Sequence, residues 1–161
     1  MNLKIGQEAE VFVKKILDKA DIGCELNEDY ERRYDCDLDC RIGKKRFTCE
    51  VKFDKMAEKT GNIAIEFWNS KADRPSGIKV TTSDIWIHVL SNKKRKTAWA
   101  ISVGGLKEYL NTHNPKRIVA YGGDNNASLY LYKKEELLKS FVKIDGLKNT
   151  ELKKVIRSLL K

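Results

Sequence analysis

Glu50 and Lys52 stand two residues apart in the run Arg46 to Phe53. If that run is a strand, both side chains leave the same face, while Cys49, Val51 and Phe53 point into a core. Just upstream, Asp35, Asp37 and Asp39 alternate with Cys36, Leu38 and Cys40, the period-two pattern of a half-buried strand. A turn at Gly43-Lys44 joins the two runs as a hairpin. A two-residue turn pairs Ile42 with Lys45 and therefore Asp37 with Glu50. A longer turn brings Asp39 opposite instead, and Asp35, facing the same way, then sits closer to Lys52.

Two carboxylates converging on one point repel each other unless one is protonated or a cation bridges them. Oxygen-only donors suit a hard ion, Mg²⁺ or Mn²⁺. Such an ion can lower the pKa of a water and stabilise charge on a phosphodiester, while a neighbouring lysine steers the water or neutralises the phosphate. The plain structural alternative is a surface face of cross-strand salt bridges, each worth little. Three alternating aspartates beside an E-x-K argue against it, because they are costly to hold together without a cation.

The elements that must position this hairpin are legible from their periods. Ala9, Phe12, Val13, Ile16, Leu17 and Ala20 form one apolar stripe, which predicts a helix from Gly6 to about Ala20. After the hairpin, strands are expected at Asn62–Trp68, Ile85–Leu90 and Thr97–Ser102, with a polar Pro75-Ser76-Gly77 loop between the first two. A short helix follows at Leu106–Leu110, then short strands at Arg117–Tyr121 and Ser128–Tyr132. Lys134–Phe141 and Thr150–Leu160 read as helices. The order implies an α/β or α+β sandwich around a central mixed sheet.

At 161 residues the chain suits one domain, 1–161. Hydrophobic residues at 41% and charged residues at 34% exclude a disordered tail, and no apolar run approaches the ~20 residues of a bilayer span. The N-terminus turns polar too early for a signal peptide, so an intracellular, cytoplasmic address is expected. Thirty-two Lys and Arg against 23 Asp and Glu leave +9, a surplus suited to neutralising phosphates. Cys24, Cys36, Cys40 and Cys49 are then expected as reduced, buried thiols, with a cysteine-bound metal cluster as the sharper alternative.

With these residues in view, the chain resembles the PD-(D/E)XK nuclease superfamily. Gly6 through Glu10 matches its helical G-x-x-x-E, an Asp follows on a strand, and Glu50-Val51-Lys52 lies on the hairpin partner. It is similar above all to small phage-type and Holliday-junction-resolvase-like members. Thr60-Gly61-Asn62-Ile63-Ala64-Ile65-Glu66, Ser76-Gly77-Ile78 and Ser83-Asp84-Ile85-Trp86 match their downstream segments, so the likeness covers about the first ninety residues. The Pro that often precedes the Asp is absent.

The resemblance implies a restriction-endonuclease-like core and a Mg²⁺- or Mn²⁺-dependent endonuclease acting on DNA, in phage-type processing of branched, nicked or junction substrates. It makes Glu50 a metal ligand, Lys52 the catalytic lysine and the Val51 carbonyl an additional ligand. For the aspartate it leaves two choices. Tyr34-Asp35 matches phage-type relatives, whereas the Asp37-to-Glu50 spacing matches resolvases; Asp35 is slightly favoured, with Asp39 third. Glu10 either reaches the metal through water or is a solvated carboxylate at the helix start, and Glu66 is either an acid at the edge of the site or a partner for a lysine. Thr81, Thr82 and the Ser76-Gly77 loop would contact the DNA backbone; the basic turn Lys93-Lys94-Arg95-Lys96, read from charge alone, is either a phosphate contact or a solvated charge run. Trp68, Trp86 and Trp99 are expected in the core and His88 in a structural role. Cutting both strands would favour a homodimer. The competing reading is a nucleic-acid-binding module on the same fold that does not cut.

Overall fold

Every residue from Ile85 to Leu90 is buried, and this run is the middle of the fold. The computed structural model describes residues 3–27, 36–122 and 126–161. Its elements are α1 (Leu3–Lys19), β1 (Gly23–Leu26), β2 (Leu38–Ile42), β3 (Lys45–Asp54), α2 (Ala57–Thr60), β4 (Asn62–Asn69), β5 (Arg74–Pro75), β6 (Ile85–Ser91), β7 (Lys96–Ser102), α3 (Val103–Thr112), β8 (Arg117–Gly122), β9 (Ala127–Lys133), α4 (Lys134–Leu137), β10 (Val142–Lys143) and α5 (Asn149–Leu159). A six-stranded sheet runs β1-β2-β3-β6-β7-β10, and a four-stranded sheet runs β5-β4-β9-β8. The larger sheet is mixed, since β3 pairs parallel with β6 and its other neighbours pair antiparallel.

Burial on both sides explains why β6 is a continuous apolar run rather than an alternating one. Its odd positions, Ile85, Ile87 and Val89, join Val13 and Leu17 of α1 and Leu152 and Ile156 of α5 in one core. Its even positions Trp86 and Leu90 join Ile63 and Ile65 of β4, Leu106 of α3 and Leu137 of α4 in the other. Helices therefore flank the mixed sheet on one side, and helices with the second sheet cover the other. Trp86 is fully buried and Trp99 packs against that second core. Trp68, expected in the core, is half-buried and belongs to neither cluster.

The hairpin closes as the two-residue turn requires. Gly43 takes a left-handed φ of 62° and Ile42 pairs with Lys45. Three short strands depart from the expected order: β1 and β10 extend the large sheet at its two edges, and β5 sits on β4. The expected strand from Tyr34 is seen from Leu38, and Tyr34 and Asp35 lie outside the described residues. The helix expected over Lys134–Phe141 is a single α-turn, α4, continued by a 3₁₀ turn at Leu138–Ser140.

The cysteines also depart from expectation. Cys24 and Cys40 are cross-strand partners in β1 and β2 and form a disulfide. Cys36 and Cys49 are free and buried. Among the described residues no group of three or more His, Cys, Asp or Glu is arranged to hold a metal, so the cysteine cluster does not form there. No helix among them is long and apolar enough to cross a membrane.

Candidate active site

The parallel pairing of β3 with β6 sets Glu50 beside Trp86, Lys52 beside His88 and Asp54 beside Leu90. These alternate positions of β3 face the side of the sheet that carries the second core, while Cys49 and Val51 face α1 and α5. Lys52 lies over the Trp86 ring, 5.7 Å from its centroid.

Asp37 precedes β2. Its N–H donates to the Cys49 carbonyl at 2.9 Å, one step beyond the Leu38–Cys49 pair, so Asp37 stands opposite Glu50. Its Oδ2 accepts the Val51 N–H at 2.7 Å. Glu50 is 9% exposed, its Oε1 pairs with the Lys52 ammonium, and its Oε2 accepts from the Thr81 hydroxyl at 3.4 Å.

The electrostatics follow from this crowding. Burial, then the charge of Glu50, pushes the Asp37 carboxyl up to about 7, against the opposing pull of Lys52 and the Val51 N–H; Glu10 of α1 adds to the rise. Burial acts to lower the pKa of Lys52, but Glu50, Asp37 and Glu66 outweigh it and hold the ammonium well above its ordinary value. Glu10 and Glu66 are thus both felt at the centre of the site. Asp39 is not part of the group: it pairs with Arg46 at 2.8 Å on the exposed surface.

These donors fit a hard divalent cation. Two facing carboxylates, one driven toward neutrality by burial and then by the other's charge, are a set that added positive charge would relieve, and Mg²⁺ commonly takes only one or two carboxylates and keeps its waters. With no third acid assembled among the described residues, the Lys52 ammonium provides the counter-charge to Glu50.

Around the site the sequence is used structurally. Asp54 accepts the N–H groups of Met56 and Ala57 with Oδ1 and that of Ala64 with Oδ2, which ties β3 to α2 and to β4. His88 accepts the Trp86 indole N–H on Nδ1 at 3.2 Å, leaving Nε2 to face Asp54 at 3.5 Å. The His88 contacts hold the Asp54 carboxyl below its usual value although burial opposes this. His88 is therefore part of a buried brace, the structural role expected of it.

The glycines of the downstream segments have physical reasons. Gly61 caps α2 at φ 69°. Gly77, at φ 54°, passes so close to β4 that a Cβ there would lie 2.3 Å from the Glu66 carbonyl oxygen. Thr81 differs from its expected place on the DNA-facing surface, being 5% exposed with its hydroxyl turned to Glu50. Thr82 remains exposed. In the basic turn, Arg95 pairs with Asp145 and Lys96 with Glu8, while Lys93 and Lys94 are exposed.

No protein-family model matches the chain, and no curated protein matches it. Solved structures do. A bacterial homing endonuclease, I-Ssp6803I, aligns with a TM-score of 0.52 at 13% identity, over 99% of this chain and 94% of that one. Hjc, a Holliday junction resolvase from Archaeoglobus fulgidus, aligns with a TM-score of 0.41 at 11% identity, over 85% of this chain and 98% of that one. At such identities the likeness is one of fold, and the hairpin, the mixed sheet and the flanking helices agree with it. The chain shares the fold of that homing endonuclease, a mixed α+β fold with a central mixed sheet flanked by helices.

Proposed function

We propose that this chain is a metal-dependent DNA endonuclease that hydrolyses phosphodiester bonds at the face shared by Asp37, Glu50 and Lys52. The observation that carries the reading is the meeting of two carboxylates and a lysine on one hairpin, with one carboxyl pushed to about 7 by burial and its neighbour. Asp37, Glu50 and the Val51 carbonyl are the groups that would hold Mg²⁺ or Mn²⁺. When bound, such an ion supplies a nucleophilic water at neutral pH and charge stabilisation on the phosphoryl oxygens.

The protein groups do the rest. Val51 N–H and Thr81 Oγ1 orient the two carboxylates. Lys52, kept charged by the surrounding acids, neutralises the phosphate or steers the attacking water. Glu10 acts from α1 as an outer acid. The +9 surplus favours the polyanionic substrate. A homing endonuclease of like fold acts as additional support, and the resemblance of the E-V-K, T-G-N and S-G-I segments extends the reading to phage-type cutting of branched, nicked or junction DNA by a homodimer.

The test is incubation of plasmid DNA with Mg²⁺ or Mn²⁺ and wild-type, Glu50→Ala or Lys52→Ala protein. Cleavage by wild type alone is expected. Equal behaviour of all three, with DNA binding intact, contradicts the proposal.

A further inference from the structure

Glu50 has two oxygens, and Lys52 takes one of them. The other meets a hydroxyl delivered by the turn between β4 and β6, although nothing in that turn is near Glu50 in sequence. We infer that Thr81, held in place by the Ser76–Ser83 turn, is a positioning residue for Glu50. The inference rests on the metal-dependent reading of the site.

The hydroxyl's direction follows from its partners. Thr81 Oγ1 lies 3.3 Å from the Ser83 N–H, which can only donate. That contact uses an oxygen lone pair, so the single hydroxyl proton is left for Glu50 Oε2 at 3.4 Å. Glu50 and Thr81 are 9% and 5% exposed, so water competes little for this contact.

The turn itself is anchored. Lys79 N–H donates to the Ser76 carbonyl, and both Val80 and Thr81 N–H groups donate to the Gly77 carbonyl at 3.1 Å. Ser76 N–H donates to the Phe67 carbonyl of β4 at 3.2 Å. Gly77 is fixed against the Glu66 carbonyl at a point where no side chain fits. Through these links the backbone around Glu66 and Phe67 sets where the Thr81 hydroxyl stands, and the hydroxyl sets one oxygen of Glu50. Supporting partners of metal ligands commonly matter about 10–100-fold to affinity or activity.

The experiment compares Thr81→Val, Thr81→Ser and wild type, reading Mn²⁺ affinity by titration calorimetry with the metal alone, and separately kcat and KM on DNA. Thr81→Val keeps the shape and loses the proton. It is expected to weaken Mn²⁺ binding about tenfold or more and to lower kcat with KM unchanged, while Thr81→Ser restores most of both. Wild-type metal affinity in Thr81→Val overturns the inference. So does a Thr81→Ser as impaired as Thr81→Val, since the hydroxyl then is not what matters. Should Thr81→Val fold poorly, Thr81→Ser is judged against wild type: Mn²⁺ affinity and kcat kept within a few-fold support the inference, and a loss of about tenfold with the hydroxyl present overturns it. Absence of Mn²⁺ binding by wild type would instead remove the metal-dependent reading on which the inference stands.

Discussion

Asp37 stands opposite Glu50 at the open end of the β2–β3 hairpin, and its Oδ2 accepts the Val51 N–H at 2.7 Å. Burial, and then the charge of the facing Glu50, pushes the Asp37 carboxyl up to about 7.

The first prediction is the pH dependence that follows in metal-free protein. Between the ordinary 3.8 and about 7, the folded chain keeps a proton on Asp37 that the unfolded chain has released. The stability from this group is full below the lower value and is lost as pH rises through the upper one. Asp37→Asn should therefore stabilise the metal-free protein at pH 8, by about 1–2 kcal/mol, and much less at pH 4. Mg²⁺ should stabilise wild type more at pH 8 than at pH 5. Urea unfolding across this range checks both, and a mutant gain equal at pH 4 and pH 8 would contradict the assignment.

Gly77 and Gly104 make a matched pair for the second. A methyl group at Gly77 meets the Glu66 carbonyl at an already left-handed φ, whereas at Gly104, inside α3, nothing lies within 4 Å. Gly77→Ala should destabilise by at least about 1–3 kcal/mol. Gly104→Ala should be neutral or stabilising by up to about 1 kcal/mol. Thermal midpoints of the two variants decide, and equal midpoints would refute the close approach.

The third concerns the Cys24–Cys40 disulfide. It closes a loop, 16 residues apart in sequence, that contains both Asp35 and Asp37. Constraint of the unfolded chain by a loop of this size is worth about 3 kcal/mol. Dithiothreitol should lower the midpoint of wild type and leave a Cys24→Ser, Cys40→Ser double variant unmoved. An unchanged wild-type midpoint would show that the bond does not contribute.

How far the site was legible in the sequence depends on the range of the interactions that build it. The sequence left two hairpin registers open, Asp37 or Asp39 opposite Glu50 according to turn length, and the two-residue turn with a left-handed Gly43 selects the first. Glu50 and Lys52 shared a face for the same period-two reason. The disulfide was hidden because it needs β1, and Gly-Cys-Glu-Leu has too few residues for alternation to speak. The contact of Thr81 with Glu50 was hidden because it spans 31 residues. The helix expected at Leu106–Leu110 begins earlier, because the Ser102 hydroxyl accepts the Gly105 N–H and starts α3 at Val103. The resemblance slightly favoured Asp35, which lies outside the described residues, whereas the two-residue turn puts Asp37 opposite Glu50.

In the proposed function, Asp37 and Glu50 together hold the metal for DNA cleavage. Single-turnover cleavage of one nicked or branched DNA in Mg²⁺ by Asp37→Asn, Asp35→Asn and Glu50→Gln, with DNA affinity measured in parallel, tests it most directly. Loss of at least about 10²-fold in rate is predicted for Asp37→Asn and Glu50→Gln, with affinity retained and Asp35→Asn close to wild type. Wild-type cutting by Asp37→Asn, or by Glu50→Gln, would contradict it.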